Sequence, residues 1–75
     1  MRDKRGSFIR LAETRVTKAT QMLRLIGNLS NLNNYAYSEE DVQTIMSALE
    51  AEMKLLRMKF HTALRKHSVE EFKLK

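Results

Sequence analysis

One pattern constrains this chain more than any other. From Val42 to Ala63 an apolar side chain returns every three or four residues without a break: Val42, Met46, Leu49, Met53, Leu56, Phe60, Ala63. Alternate steps of four and three are the repeat of a helix that packs on another helix. Ile45, Ala48, Leu55 and Leu64 flank the seam, and no Gly or Pro interrupts residues 39–67. The start of this helix is also marked. Ser38 is a capping residue, Asp41 sits three positions on as an acidic variant of the capping box, and Tyr37 and Val42 have the spacing of a hydrophobic staple. Glu39, Glu40 and Asp41 place negative charge at the positive end of the helix dipole. The pattern predicts a helix over 38–67, with a continuous core of about 28 residues and a length of roughly 42 Å.

A second periodic segment precedes it. Ile9, Ala12, Val16, Ala19, Leu23 and Ile26 recur at steps of three and four, with Phe8, Leu11, Met22 and Leu25 widening the stripe. Ser7 is the expected N-cap and Gly27-Asn28 the expected stop, with Leu29 and Ser30 able to add a turn. This predicts a helix over 7–30, preceded by a basic arm over 1–6 that frays. Between the helices, residues 31–37 carry three Asn in four positions, which favours a turn because Asn bonds its own backbone and tolerates left-handed geometry. After His67, residues 68–75 read as a loose tail, as a short helix restarted at Ser68, or equally as the fraying end of the long helix.

Two heptad-patterned helices joined by a short loop predict an all-α fold, an antiparallel two-helix hairpin within a single 1–75 domain. A hairpin of 75 residues buries little by itself. Cys is absent, which removes disulfide staples and thiolate metal sites and leaves oligomerisation as the remaining source of burial. The first expectation is a homodimeric four-helix bundle, in which Ala12 and Ala19 let larger residues such as Met46, Met53, Leu56 and Phe60 approach closely. A three-helix monomer that uses the tail comes second, and a hairpin completed by a different protein third. The five Met residues read as core rather than as an adaptable binding face, since Met46 and Met53 lie on the seam.

Composition narrows the function classes. Pro is absent and Gly occurs twice, so a Gly-rich phosphate loop and a turn-rich β sandwich are excluded. No apolar run approaches the length of a membrane span, and the basic start is not followed by an apolar signal core, so a cytoplasmic location is expected. His61 and His67 are six apart, which does not aim two imidazoles at one metal. Paired carboxylates fall only where helices start, and there is no nucleophile, base and acid arrangement. Neither an enzyme, a metal nor a cofactor is expected.

Charge is the informative feature. Residues 1–37 hold seven basic and two acidic side chains, whereas residues 38–75 hold seven of each. An antiparallel return sets residues 54–66 beside residues 2–18, so the open end of the hairpin gathers eleven basic side chains against Asp3 and Glu13. Such a field attracts polyanions in a salt-dependent way. Arg5, Arg10, Lys18, Arg24, Lys54, Arg57 and Lys59 are the candidate phosphate contacts. Of these, Arg10, Lys18 and Arg24 point away from the first seam and share an outer face with the hydrogen-bond donors Thr14, Thr17 and Gln21. Stacking on bases is not expected, because Tyr35 and Tyr37 lie at the acidic end. The expected partners are a second copy and DNA or RNA. The alternative is a different protein, for an adaptor or inhibitor whose helical face completes that partner's bundle. Peripheral membrane binding ranks below both.

The run Arg24-Leu25-Ile26-Gly27-Asn28-Leu29-Ser30-Asn31, with Asn34-Tyr35, Tyr37, Glu40-Asp41-Val42 and the following Ile45, Leu49 and Phe60, resembles a group of small bacterial and mobile-element proteins. The resemblance covers about residues 10–60. It implies a small accessory protein and brings no activity with it. In architecture alone, with no shared motif, the expected fold resembles the Rop-type RNA-binding hairpin dimer.

Overall fold

A computed structural model describes the backbone of residues 3–73 and the side chains of residues 3–67. All regular structure among them is helical. The described residues form α1 (Lys4–Gly27), a single 3₁₀ turn (Asn28–Ser30) and α2 (Glu39–Lys73). The chain divides into two units between Ala36 and Tyr37.

In the first unit, α1 begins earlier than the periodicity predicts. Asp3 is the N-cap, and its carboxylate accepts the Gly6 N–H at 2.9 Å. The Ser7 N–H donates to the Asp3 carbonyl at 3.0 Å. The expected arm over 1–6 is therefore helical from Lys4, and Ser7 lies inside the helix. At the far end Gly27 keeps right-handed helical angles, φ −60° and ψ −31°, and Asn28 follows it with φ −65° and ψ −19°. No described residue takes a positive φ. The helix thus tightens into the 3₁₀ turn and ends where Asn31 becomes extended, at ψ 103°. Asn31 then organises the connection. Its side-chain Oδ1 accepts the Asn33 N–H at 2.9 Å, and its carbonyl accepts the N–H groups of Asn34 and Tyr35 at 3.1 and 3.0 Å.

In the second unit the capping box forms as the sequence predicts. The Asp41 N–H donates to Ser38 Oγ at 3.2 Å, and the Ser38 N–H donates to Asp41 Oδ2 at 2.9 Å. From Glu39 the helix runs 35 residues to Lys73, a length of about 52 Å. The helix boundary at His67 is corrected, and of the readings of the segment after it the continuation holds: the backbone over 68–73 extends α2, with no break at Ser68. The side chains beyond His67, Phe72 among them, and residues 74–75 lie outside the described part.

No described side chain is buried. The most covered apolar residues, Ala12, Ile26 and Leu49, are half-buried. On the α2 seam Phe60 is 53% and Leu56 49% exposed, so that stripe offers a continuous apolar surface. Among the described residues, no helix is long and apolar enough to cross a membrane.

Candidate nucleic-acid interface

All seven candidate cations stand on helices and all are exposed. Their usefulness to a ligand depends on which side of its own helix each occupies. Successive residues of an α-helix are about 100° apart.

On α1 the apolar seam Ile9, Ala12, Val16, Ala19, Leu23 and Ile26 defines one side. Arg10, Thr14, Thr17, Gln21 and Arg24 recur at steps of four, three, four and three, so they form a second, polar stripe. The two stripes are about 150° apart. Covering the seam would therefore leave the polar stripe in solvent. Arg10 and Arg24 stand fourteen residues apart on it, which is about 21 Å along the axis. Lys18 lies at its edge, between Leu11 and Leu25.

Arg5 does not join them. Because α1 starts at Lys4, Arg5 is a helical residue, and the positions Arg5, Ile9, Ala12 and Val16 continue the seam at steps of four, three and four. Its guanidinium lies over the Phe8 ring, 5.8 Å from the centroid. Arg5 therefore lies off the polar stripe of Arg10 and Arg24.

The hydroxyls are also partly engaged. Thr14 Oγ1 donates to the Arg10 carbonyl at 3.0 Å, and Thr20 Oγ1 to the Thr17 carbonyl at 2.9 Å. A Thr that bonds back to its own helix has used its proton. The donors left for an anion on this stripe are the Arg10 and Arg24 guanidinium groups, the Gln21 amide and the Thr17 hydroxyl.

On α2 the candidates separate. Lys54 and Arg57 are about 60° apart and share one side with His61 and Arg65, one and two turns further on. Arg65, absent from the expected contact set, aligns with them because its spacing of eleven from Lys54 is within about 20° of three full turns. Lys59 lies on the opposite flank of the same helix, about 140° from Lys54. It shares that flank with Glu52 and Lys66, each seven residues away. The structure thus assigns Lys59 to a mixed-charge flank and not to the Lys54 and Arg57 row. Acidic residues stand near both: Glu50 lies one turn before Lys54, and Glu52 two turns before Lys59.

No group of three or more potential metal ligands gathers among the described residues. Compared with known proteins, the chain matches no family model, no curated protein and no solved structure.

Proposed function

We propose that the protein is a small accessory protein that binds nucleic-acid backbone through the outer face of α1, within a helical-hairpin homodimer. The observation that carries this reading is the α1 polar stripe. Two guanidinium groups, an amide and a free hydroxyl share one side of one helix, turned about 150° from the apolar seam. Lys18 borders the stripe. When an apolar neighbour covers the seam, these donors stay in water, where phosphate oxygens can reach them. The net charge of +5 favours association with a polyanion. Lys54, Arg57 and Arg65 add a second cationic row on α2. The contacts are to phosphate, so the binding is salt-dependent and has little sequence preference.

The test is a titration of fluorescent duplex DNA and of structured RNA at about 50 and about 200 mM salt. The expected result is binding at the lower salt that weakens steeply at the higher. Replacing Arg10, Lys18 and Arg24 together by Gln lowers the slope of log affinity against log salt by about 2.7 on duplex DNA, at about 0.9 per phosphate contact. Arg5→Gln leaves the slope unchanged, because Arg5 faces the seam side. Absence of binding at the lower salt removes the proposal.

A second reading has one observation in its favour. With no described side chain buried, both apolar stripes are available to a different protein. In that reading the chain is an adaptor or inhibitor whose helices complete a partner's bundle. A folded homodimer in isolation opposes it, and a poorly folded monomer that orders on its partner supports it.

A further inference from the structure

The helix α2 is apolar on two sides. Besides the seam, Ala48, Ala51, Leu55, Met58 and Thr62 recur at steps of three, four, three and four, which is a second heptad stripe. The two stripes lie about 150° apart around the helix. Leu55 is 57% and Met58 52% exposed, and a shallow depression lined by Glu52, Leu55, Leu56, Met58, Lys59, Thr62 and Ala63 lies on the flank between this stripe and the seam. If α1 covers the seam, as in the proposed hairpin, this second stripe is left without a neighbour.

We infer that the second stripe of α2 is the contact with a second copy of the chain, α2 against α2 in antiparallel order about a two-fold axis at Leu55. The sequence along the stripe is complementary to its own reverse. With Leu55 on the axis, Ala51 meets Met58 of the second copy, and Ala48 meets Thr62, so each small residue faces a larger one. One charge pair on the adjoining flank fits the same register to within a residue. Glu52 meets Lys59 of the second copy, a contact that occurs twice by symmetry. A parallel pair would instead set Lys59 beside Lys59 and Glu52 beside Glu52. This arrangement also gives Lys59 a role that explains its separation from Lys54 and Arg57. The seam and the second stripe are nearly opposite, not at the right angle of a corner position in a square bundle, so the dimer is layered. The α2 pair lies at its centre, an α1 lies on each outer side, and the two α1 polar stripes face outward in opposite directions.

The inference rests on the proposed hairpin, and its test is independent of nucleic acid. The chain has no Cys, so a single introduced Cys reports on a single contact. Under mild oxidation the full-length Leu55→Cys variant is expected to form a disulfide-linked dimer, while Leu56→Cys, one residue away on the seam, remains reduced. Mixing Ala51→Cys with Met58→Cys is expected to give the mixed dimer, which does not depend on Leu55. Sedimentation then reads the charge pairing. Glu52→Lys and Lys59→Glu are each expected to raise the dimer dissociation constant about tenfold, and the double variant to restore it to within about threefold. A monomeric wild-type chain, linkage at Leu56 rather than Leu55, or a double variant weaker than either single one overturns the inference. An intact dimer that ignores DNA and RNA removes only the proposed function.

Discussion

The two helices of this protein begin in opposite electrostatic circumstances. α2 opens with Glu39, Glu40 and Asp41 in its first turn, behind a reciprocal capping box. α1 opens with Lys4 and Arg5, has no acidic residue in its first turn, and is held by the single Asp3 carboxylate. Cations at the positive end of the dipole are unfavourable, and one cap satisfies fewer of the free N–H groups than two. The seams differ in the same direction. α1 sets Ala12 and Ala19 among its apolar positions, whereas α2 presents Met46, Leu49, Met53, Leu56 and Phe60. In the proposed hairpin, α2 is the well-started, strongly apolar partner, and α1 is the weaker helix that needs its neighbour. α1 also carries the cleaner polar stripe, as suits a helix placed on the outside of an assembly.

The largest expected effect breaks this comparison if it fails. Leu56→Ala on the α2 seam is expected to cost about 2–4 kcal/mol, and Val16→Ala on the α1 seam about 1–2 kcal/mol, as read from urea midpoints. Those costs need a seam covered in the native protein. Losses under about 0.5 kcal/mol at both positions would mean that the stripes stay in water, and the hairpin would fall.

A smaller effect separates the two starts. Ser38→Ala removes one half of a reciprocal pair and is expected to cost about 1–2 kcal/mol, spread over α2. Asp3→Ala is expected to cost about 0.5–1 kcal/mol, with the loss confined to the first turn of α1 in amide exchange. Equal costs with equal spread would show that the helices unfold as one unit from either end and that the asymmetry has no energetic consequence.

The features legible in the sequence are the local ones. The Ser38 and Asp41 box, the helix that carries the α2 seam and the Asn31 turn each depend on residues within a few positions, and each forms as its residue types predict. The start of α1 is ambiguous in the sequence because two capping residues compete, Asp3 and Ser7, and Gly6 between them argues against helix. At the end of α2 the one stop signal is weak: Ser68 can cap a new helix, but with no Gly or Pro after Gly27 nothing obliges α2 to stop there. Charge at one end of a hairpin groups Arg5 with Arg10 and Lys59 with Lys54, whereas helical register, which singles out Arg10, Lys18 and Arg24 on α1, splits each of those pairs across its helix.

The two glycines give the finest test of the comparison. Both lie in α1 with right-handed helical geometry, so Ala in place of either gains helix propensity, up to about 1 kcal/mol each. Their surroundings differ. A Cβ on Gly27 meets nothing within 4 Å. A Cβ on Gly6 runs into the carboxylate of Asp3, the same group that caps the helix. Gly27→Ala is therefore expected to raise stability by about 0.5–1 kcal/mol. Gly6→Ala is expected to change it by less than about 0.3 kcal/mol, since moving the carboxylate forfeits about as much capping as the propensity returns. The cause is visible in a third variant. In the Asp3→Ala background the obstacle is gone, and Gly6→Ala should then stabilise as much as Gly27→Ala does. If Gly6→Ala stabilises fully while Asp3 is present, the carboxylate has moved at no cost, and the single cap that distinguishes the start of α1 contributes nothing to holding it.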